Sequence, residues 1–541
     1  MMAKNRPTKG SASRAPQKKS PGAKAQGAMQ APVHHEVNED VQLLHSMGYA
    51  QELSRRMSGF SNFAVSFSII CILSGGINSL GQGISSVGGA SIGIGWPLGC
   101  FVSFIFAVGM AQIASAYPTA GGLYHWGSIL GGRGWGWATA WLNLIGLVTV
   151  LGAINVGTYG FFMGSFGGLL GLSTDPATWS YYITQAIFVI LITGLMAIIN
   201  HRGIELTSKL TDFSGYLIFA VSVLLTLVLL VFAPSHDFSR LWTFTNYSGD
   251  AGGGVWPASS SMFYLLLIGL LLPIYTITGF DASAHTSEET VKAAVVVPRG
   301  IVTSVAWSAL FGWLMLIAFV IAIPDMKAAA ASGWGVFFTT MDAVVPAWLK
   351  YILYLGILLS QFLCGLATVT SASRMIFAFS RDGGLPASHF LRIVNVEYRT
   401  PVAAIWTAAI ISILFTLYTP VYTTIVSVTV IFLFLSYGIP IVLGLLAYGR
   451  TWTKMGPWDI KGLYPVVAVL CAAAVLFIFY IGVQPPNDKA LWITVAFIAL
   501  TVALWFGLER KRFAGPPMGE EIARRQREIA RIEQSLQAGT D

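Results

Sequence analysis

The segment Tyr275-Thr276-Ile277-Thr278-Gly279-Phe280-Asp281 puts a carboxylate inside an apolar stretch, Met262 to Ala284, that is interrupted by glycine. A second interruption, Ser74-Gly75-Gly76, falls inside the apolar stretch Phe63 to Ile84. A helix that unwinds in hydrocarbon bares backbone N–H and C=O groups, which persist only where protein, water or a bound solute satisfies them. Such a pair of breaks is suited to main-chain capture of a small charged solute. The positive end of one half-helix meets a carboxylate, and the negative end of the other meets an ammonium.

At the first break, Gly75 and Gly76 let backbone approach a ligand without a side chain between, Ser74 adds a hydroxyl donor, and Ile77 follows in the same turn. The competing reading is that both glycines serve close helix packing. The matching break two hundred residues on favours binding, and Gly76→Val is then expected to abolish uptake by entering the ligand space. At the second break the helix is expected to stop near Thr276 and to restart near Ala282. Asp281 has two readings. It titrates and takes part in proton coupling or gating, or it caps the freed N–H groups of the restarted helix. His285, one turn on, is placed to share a hydrogen bond with it. No further ligands cluster near this pair, which argues against a metal.

The elements that must hold these breaks are membrane spans. The 541 residues are 55% hydrophobic and 10% charged, with mean hydropathy +0.68, whereas soluble domains carry about 25% charge. About twelve apolar stretches are each long enough to cross a bilayer: 61–84, 92–116, 135–165, 179–199, 208–232, 260–284, 300–323, 350–379, 402–418, 421–448, 463–483 and 490–508. The two breaks fall in spans one and six. Five spans is an odd number, so the two halves point opposite ways, the geometry of an inverted repeat.

Lys and Arg divide unevenly between the ends of these spans. Nine precede span one, seven follow span twelve and twelve sit in the loops of the same side, Arg374 among them. Arg240, Lys327, Lys350 and Lys489 alone face the other side. The bias orients both termini to the cytoplasm, and the chain is expected to be a multi-pass protein of the plasma (inner) membrane. The sequence pI of about 9.2 therefore reflects topology and lipid headgroups rather than nucleic acid.

The chain divides into a basic tail, 1–56, a twelve-span core, 57–512, and a polar helical tail, 513–541. Residues 1 to about 40 read as disordered from their Lys, Ala, Pro, Ser and Gly content. The thin stripe Ile522, Ile529, Ile532 and Leu536 reads as a solvated helix, or else as a membrane-surface or partner-binding one. Pro118 and the pair Gly121-Gly122 make a turn between spans two and three. Trp242, Trp256, Trp334 and Trp348 suit an interfacial belt. Cys71, Cys100, Cys364 and Cys471 all lie in apolar spans and read as buried hydrophobes.

Four motifs in order carry a family likeness. They are Phe60-Ser61-Asn62-Phe63, Ala116-Tyr117-Pro118-Thr119-Ala120-Gly121-Gly122-Leu123-Tyr124, Gly279-Phe280-Asp281-Ala282-Ser283-Ala284-His285-Thr286-Ser287-Glu288-Glu289-Thr290, and Ser380-Arg381-Asp382-Gly383-Gly384-Leu385-Pro386. Together they resemble the amino acid–polyamine–organocation superfamily, and within it the amino acid/choline transporter family, from Leu53 to Arg512. The resemblance implies an all-α integral membrane protein of twelve helices, a five-plus-five inverted repeat of leucine-transporter type with two further helices. It also implies that the carbonyls of Tyr275, Ile277 and Thr278 meet the substrate beside Gly279, with Tyr275 or Phe280 as an aromatic lid. An ammonium near such a ring gains cation–π energy.

Sodium-coupled relatives use hydroxyls at the place of Thr368, Thr370 and Ser371 with span-one carbonyls, which makes Thr370 and Ser371 candidates for coupling or gating. Some proton-coupled relatives use a lysine in span five, but Phe213 to Phe232 contains no basic residue. Coupling to sodium, coupling to a proton on another group (H+ or Na+ as the ion) and plain exchange all stay open, as does the oligomeric state, and no other cofactor is implied. Asn143, Thr149, Asn155 and Thr158 of span three read as cavity or interhelical polar groups. Glu288, Glu289, Arg381 and Asp382 read as a cytoplasmic gate. The expected activity is secondary transport of small amino acids or GABA-like zwitterions by alternating access. The alternatives are a choline, ethanolamine or polyamine permease and a non-transporting sensor. A membrane enzyme lacks HExxH, GxSxG or a Cys/His pair to support it.

Overall fold

The computed structural model describes residues 31–418 and 421–538, and among them the chain is helical with no strand. Ten helical runs are long and apolar enough to cross a bilayer: Gly59–Asn78, Ser91–Ala116, Arg133–Gly167, Trp179–His201, Ile204–Phe232, Ala293–Ala322, Ala347–Arg381, Tyr422–Ala447, Lys461–Gly482 and Asp488–Arg512. The shorter apolar helices Met262–Thr276 and Val402–Tyr418 take the sixth and ninth places, which makes twelve in the expected order. Polar residues start several spans: Ser58, Thr178 and Ser261 each accept a backbone N–H three residues on.

Burial separates centre from periphery. The apolar windows of spans one and three are 89% buried, whereas that of span twelve is 6% buried. Spans one, three, six, eight and ten therefore enclose the middle, and span twelve offers its sides to lipid. The turn after span two is Tyr117–Gly122, followed by the buried helix Leu123–Gly131.

Four expectations need correction. Residues 1–30 lie outside those described, but 31–40 belong to the helix Ala31–Ser46 and are not disordered. Leu44, Tyr49 and Leu53 are buried, because the segment leading into span one docks across the end of the bundle that carries both termini. The C-terminal helix Glu520–Ala538 is not merely solvated: Ile529 and Leu536 are buried, and Glu533 accepts hydrogen bonds from His45 and from the Gln51 amide. Trp256 is no belt residue. It is buried and donates to the Gln82 carbonyl at 2.8 Å. Arg374 is not in a loop but inside span eight, fully buried.

Candidate substrate and coupling site

Span one runs as helix from Gly59 to Ile70 and stops at Cys71, whose φ of 25° no right-handed helix accommodates. Ser74 and Gly75 both turn their amides back to the Cys71 carbonyl, at 2.7 and 3.1 Å, and the helix resumes as Gly75–Asn78 and Leu80–Val87. Ser74 stands at the cap position, but its hydroxyl makes no capping bond. In span six, Leu271–Thr276 ends where Gly279 takes φ 84°, and helix restarts at Ala282–His285.

The two breaks touch. A β-carbon on Gly75 would lie 2.8 Å from the Thr276 Cα, and one on Gly279 would lie 2.2 Å from the Ile69 Cγ2. Ser66 of span one donates to the Phe280 carbonyl at 2.9 Å. Gly76 behaves differently: a β-carbon there meets only Trp96, Leu316 and Met315, at 3.8–3.9 Å. It points into packed side chains, so the expectation that a larger residue at 76 enters ligand space is corrected.

Ser74, Gly75, Ile77, Tyr275, Ile277, Thr278, Gly279 and Phe280 thus lie at or beside two breaks in mutual contact. The Tyr275 carbonyl already accepts the Thr278 hydroxyl at 2.8 Å. Ile77 and Asn78 also line a cavity of about 690 Å³ that reaches the loops at the end opposite the termini, with Gly157, Trp334, Phe338 and Tyr422 among its walls. The Asn78 amide nitrogen is buried with no hydrogen-bond partner among the described residues. Tyr422 is tied to Ser79 of span one (3.0 Å between hydroxyls) and sets its ring edge-on to Tyr275 at 6.2 Å. The Tyr275 ring therefore touches a residue of the cavity wall. Phe280 is fully buried and packs on Tyr437 of span ten, 4.9 Å between centroids.

Asp281 is fully buried, and its carboxylate caps nothing. It accepts instead from Asn143 Nδ2 at 2.9 Å and from the Tyr437 hydroxyl at 2.8 Å, and it faces His285 Nε2 at 3.3 Å. The capping reading is corrected: the first N–H groups of the restarted helix donate to the Gly279 carbonyl, to the Ser66 hydroxyl and to the Asp281 carbonyl, while the Asp281 side chain turns to spans three and ten. Thr370 and Ser371 are not drawn to the breaks by any bond. Thr370 donates to Asn200 of span four at 2.7 Å, and the Ser371 hydroxyl is buried without a partner among the described residues. The span-eight groups that do reach span-one carbonyls are Gln361, on Leu73 at 3.0 Å, and Cys364, on Ile69 at 3.2 Å.

The end that carries the termini is shut by charge pairs. Glu288 and Arg381 form a bidentate pair at 2.8 and 2.9 Å. Glu289 takes Arg374 in the same way, at 2.9 and 3.0 Å, both fully buried. Asp382 accepts the hydroxyls of Tyr49 and Tyr124 at 2.7 and 2.9 Å and has Arg525 of the C-terminal helix 3.8 Å away. Burial pushes its carboxyl above the usual range, against the lowering pull of Arg381 and the two hydroxyls. Sequence reasoning missed Gln361, Tyr437, Tyr49 and the partner role of Arg374. A cation inside an apolar span was a signal for Arg374; a buried tyrosine gives none.

The comparisons agree with this architecture. The Amino acid permease family matches residues 57–506. Amino-acid permease BAT1 of Arabidopsis thaliana is 33% identical over 502 residues, covering 87% of this chain and 95% of its own length. Amino-acid permease 2 of Neurospora crassa is 30% identical over 501 residues, 87% of this chain and 88% of that one. The GABA-specific permease of Saccharomyces cerevisiae is 28% identical over 463 residues, 84% and 80% of the two chains. Matched from before its first span into its last, across both broken helices and the charge pairs below them, this chain is a multi-span transporter rather than an enzyme and belongs to the amino acid permease family.

Proposed function

We propose that this permease carries small amino acids or GABA-like zwitterions across the plasma membrane by alternating access, with both termini in the cytoplasm. The observation that carries the reading is the contact of two main-chain breaks, the first of which continues through Ile77 into the wall of a cavity. The substrate carboxylate is assigned to Ser74, Gly75, Gly76 and Ile77. The ammonium is assigned to the carbonyls of Tyr275, Ile277 and Thr278, with the Tyr275 and Phe280 rings closing over it. Gly76 contributes main chain alone in this reading. The printed names of the relatives, amino-acid and GABA permeases, support this substrate class. The Lys and Arg bias supports the orientation. The open cavity then faces outside, and the Glu288–Arg381 and Glu289–Arg374 pairs close the inner end.

Reconstituted vesicles loaded with alanine and offered labelled alanine, with GABA, arginine and choline as competitors, test this. Competition by GABA or alanine is expected. Competition by choline alone sinks the zwitterion reading, because a quaternary ammonium needs an aromatic cage and no carboxylate site. Binding without flux makes the protein a sensor.

A further inference from the structure

The hydrogen bonds around His285 determine how many protons it shares with Asp281. Nδ1 lies 3.1 Å from the Ala120 carbonyl oxygen, which only accepts, so Nδ1 carries a hydrogen. Nε2 faces Asp281 Oδ2 at 3.3 Å, and two bare lone pairs do not face one another in a buried site. One proton therefore sits between them. The donors on the Asp281 side favour its residence on the imidazole. Tyr437 accepts the Gly279 N–H at 3.2 Å and so gives its own hydrogen to Oδ1, while Asn143 donates to Oδ2. With His285 as third donor, the carboxylate is matched as a buried anion requires.

This pair is connected in both directions. Toward the break, the Tyr437 hydroxyl that holds Asp281 also holds the amide of Gly279, the residue whose φ makes the break. Toward the cytoplasm, the Ala120 peptide that accepts from His285 gives its own N–H to Glu288 Oε1 at 3.1 Å, and Glu288 holds Arg381. The other titratable groups near the pair are His125, bonded to Thr119 at 3.0 Å, Tyr437 itself, and Glu288 and Glu289 with their arginines. A sodium ion at the span-one carbonyls would have to displace Gln361 and Cys364, which already donate to Leu73 and Ile69.

We propose that the Asp281–His285 pair carries the coupling proton of transport, an inference that rests on the transport reading above. The proton is taken from outside water onto His285 Nε2, with Asp281 as its counter-charge, and in that state the Ala120 peptide holds Glu288 in the closed inner end. When the inner end opens, the N–H bond at Nε2 breaks and the proton passes to cytoplasmic water. The lone pairs of Nε2 and Oδ2 then repel, His285 leaves Ala120, and the empty carrier returns.

The test is a ratio. Wild-type protein is reconstituted in vesicles containing a trapped pH dye, and labelled alanine or GABA entry is counted against protons entering. About one proton per substrate is expected for wild type, and less than about a tenth of that for H285Q, whatever its absolute rate. Wild-type uptake with no lumenal acidification, or uptake driven by sodium alone, overturns the proposal and leaves the transport reading standing. An H285Q ratio equal to wild type overturns it too. Should H285Q not fold, D281N is read by the same ratio, and the wild-type ratio stays decisive. Vesicles that take up neither alanine nor GABA refute the transport reading, and this inference falls with it.

Discussion

Replacing Gly279 by alanine probes the lock between the two broken spans. Its φ of 84° lies in the left-handed region, where an L side chain costs about 1–2 kcal/mol. The new methyl would also sit 2.2 Å from Cγ2 of Ile69, in the last turn of span one before its break. Ile69 is buried, so the clash is an overpacking of about 1–3 kcal/mol. The two terms act on different groups and together come to about 2–5 kcal/mol. Removing the Ile69 side chain makes room for the methyl but leaves the backbone term. A cycle of G279A, I69A and the double variant should therefore show a favourable coupling of about 1–3 kcal/mol. Purified protein in detergent gives the stabilities from thermal melts, and vesicle uptake of labelled alanine gives function. G279A that melts and transports as wild type, or a cycle that is purely additive, refutes the claim that the breaks are held against each other.

Gly75→Ala should be severe, since its methyl meets the Thr276 backbone, whereas Gly76→Ala should be tolerated because only ordinary contacts await it; equal uptake by the two variants contradicts this placement. Breaking the buried Glu289–Arg374 pair with E289Q alone should cost about 3–5 kcal/mol, and the E289M/R374M double should recover most of it, as read by melting temperature. Asp382 is raised by burial in the docked state, so that state binds a proton more tightly than the undocked one. Docking of the terminal segments should then be firmest at low pH and weaken as pH climbs through the raised value. Protease cleavage in 513–541 should rise over that window, and D382N should remove the pH dependence. D281N removes the anion that Asn143, Tyr437 and His285 surround and should lower uptake of labelled alanine severalfold; uptake equal to wild type denies Asp281 any part in the site.

Much of the fold was legible because a bilayer imposes length and hydropathy on each span, and Gly279 announced a break that no buried side chain hides. Even the short ninth span, Val402–Tyr418, fell where its apolar run lies. The polar partners were less legible. Asp281 stood out as a charge in an apolar run, yet its capping role was wrong because the side chain turned to Asn143 and Tyr437, 138 and 156 residues away. Thr370 looked free to bind an ion and is bonded to Asn200. The stripe of the C-terminal helix was visible, but not what covered it.

The sequence alone determined how many times the chain crosses the membrane, where two crossings are interrupted and which side gathers positive charge. Each of these follows from local composition meeting hydrocarbon. Tertiary structure decided which hydroxyl, amide or ring completes each buried polar group, because those partners come from spans distant in the chain and meet only when helices pack. The pairing of His285 with both Asp281 and Ala120 belongs to that second kind.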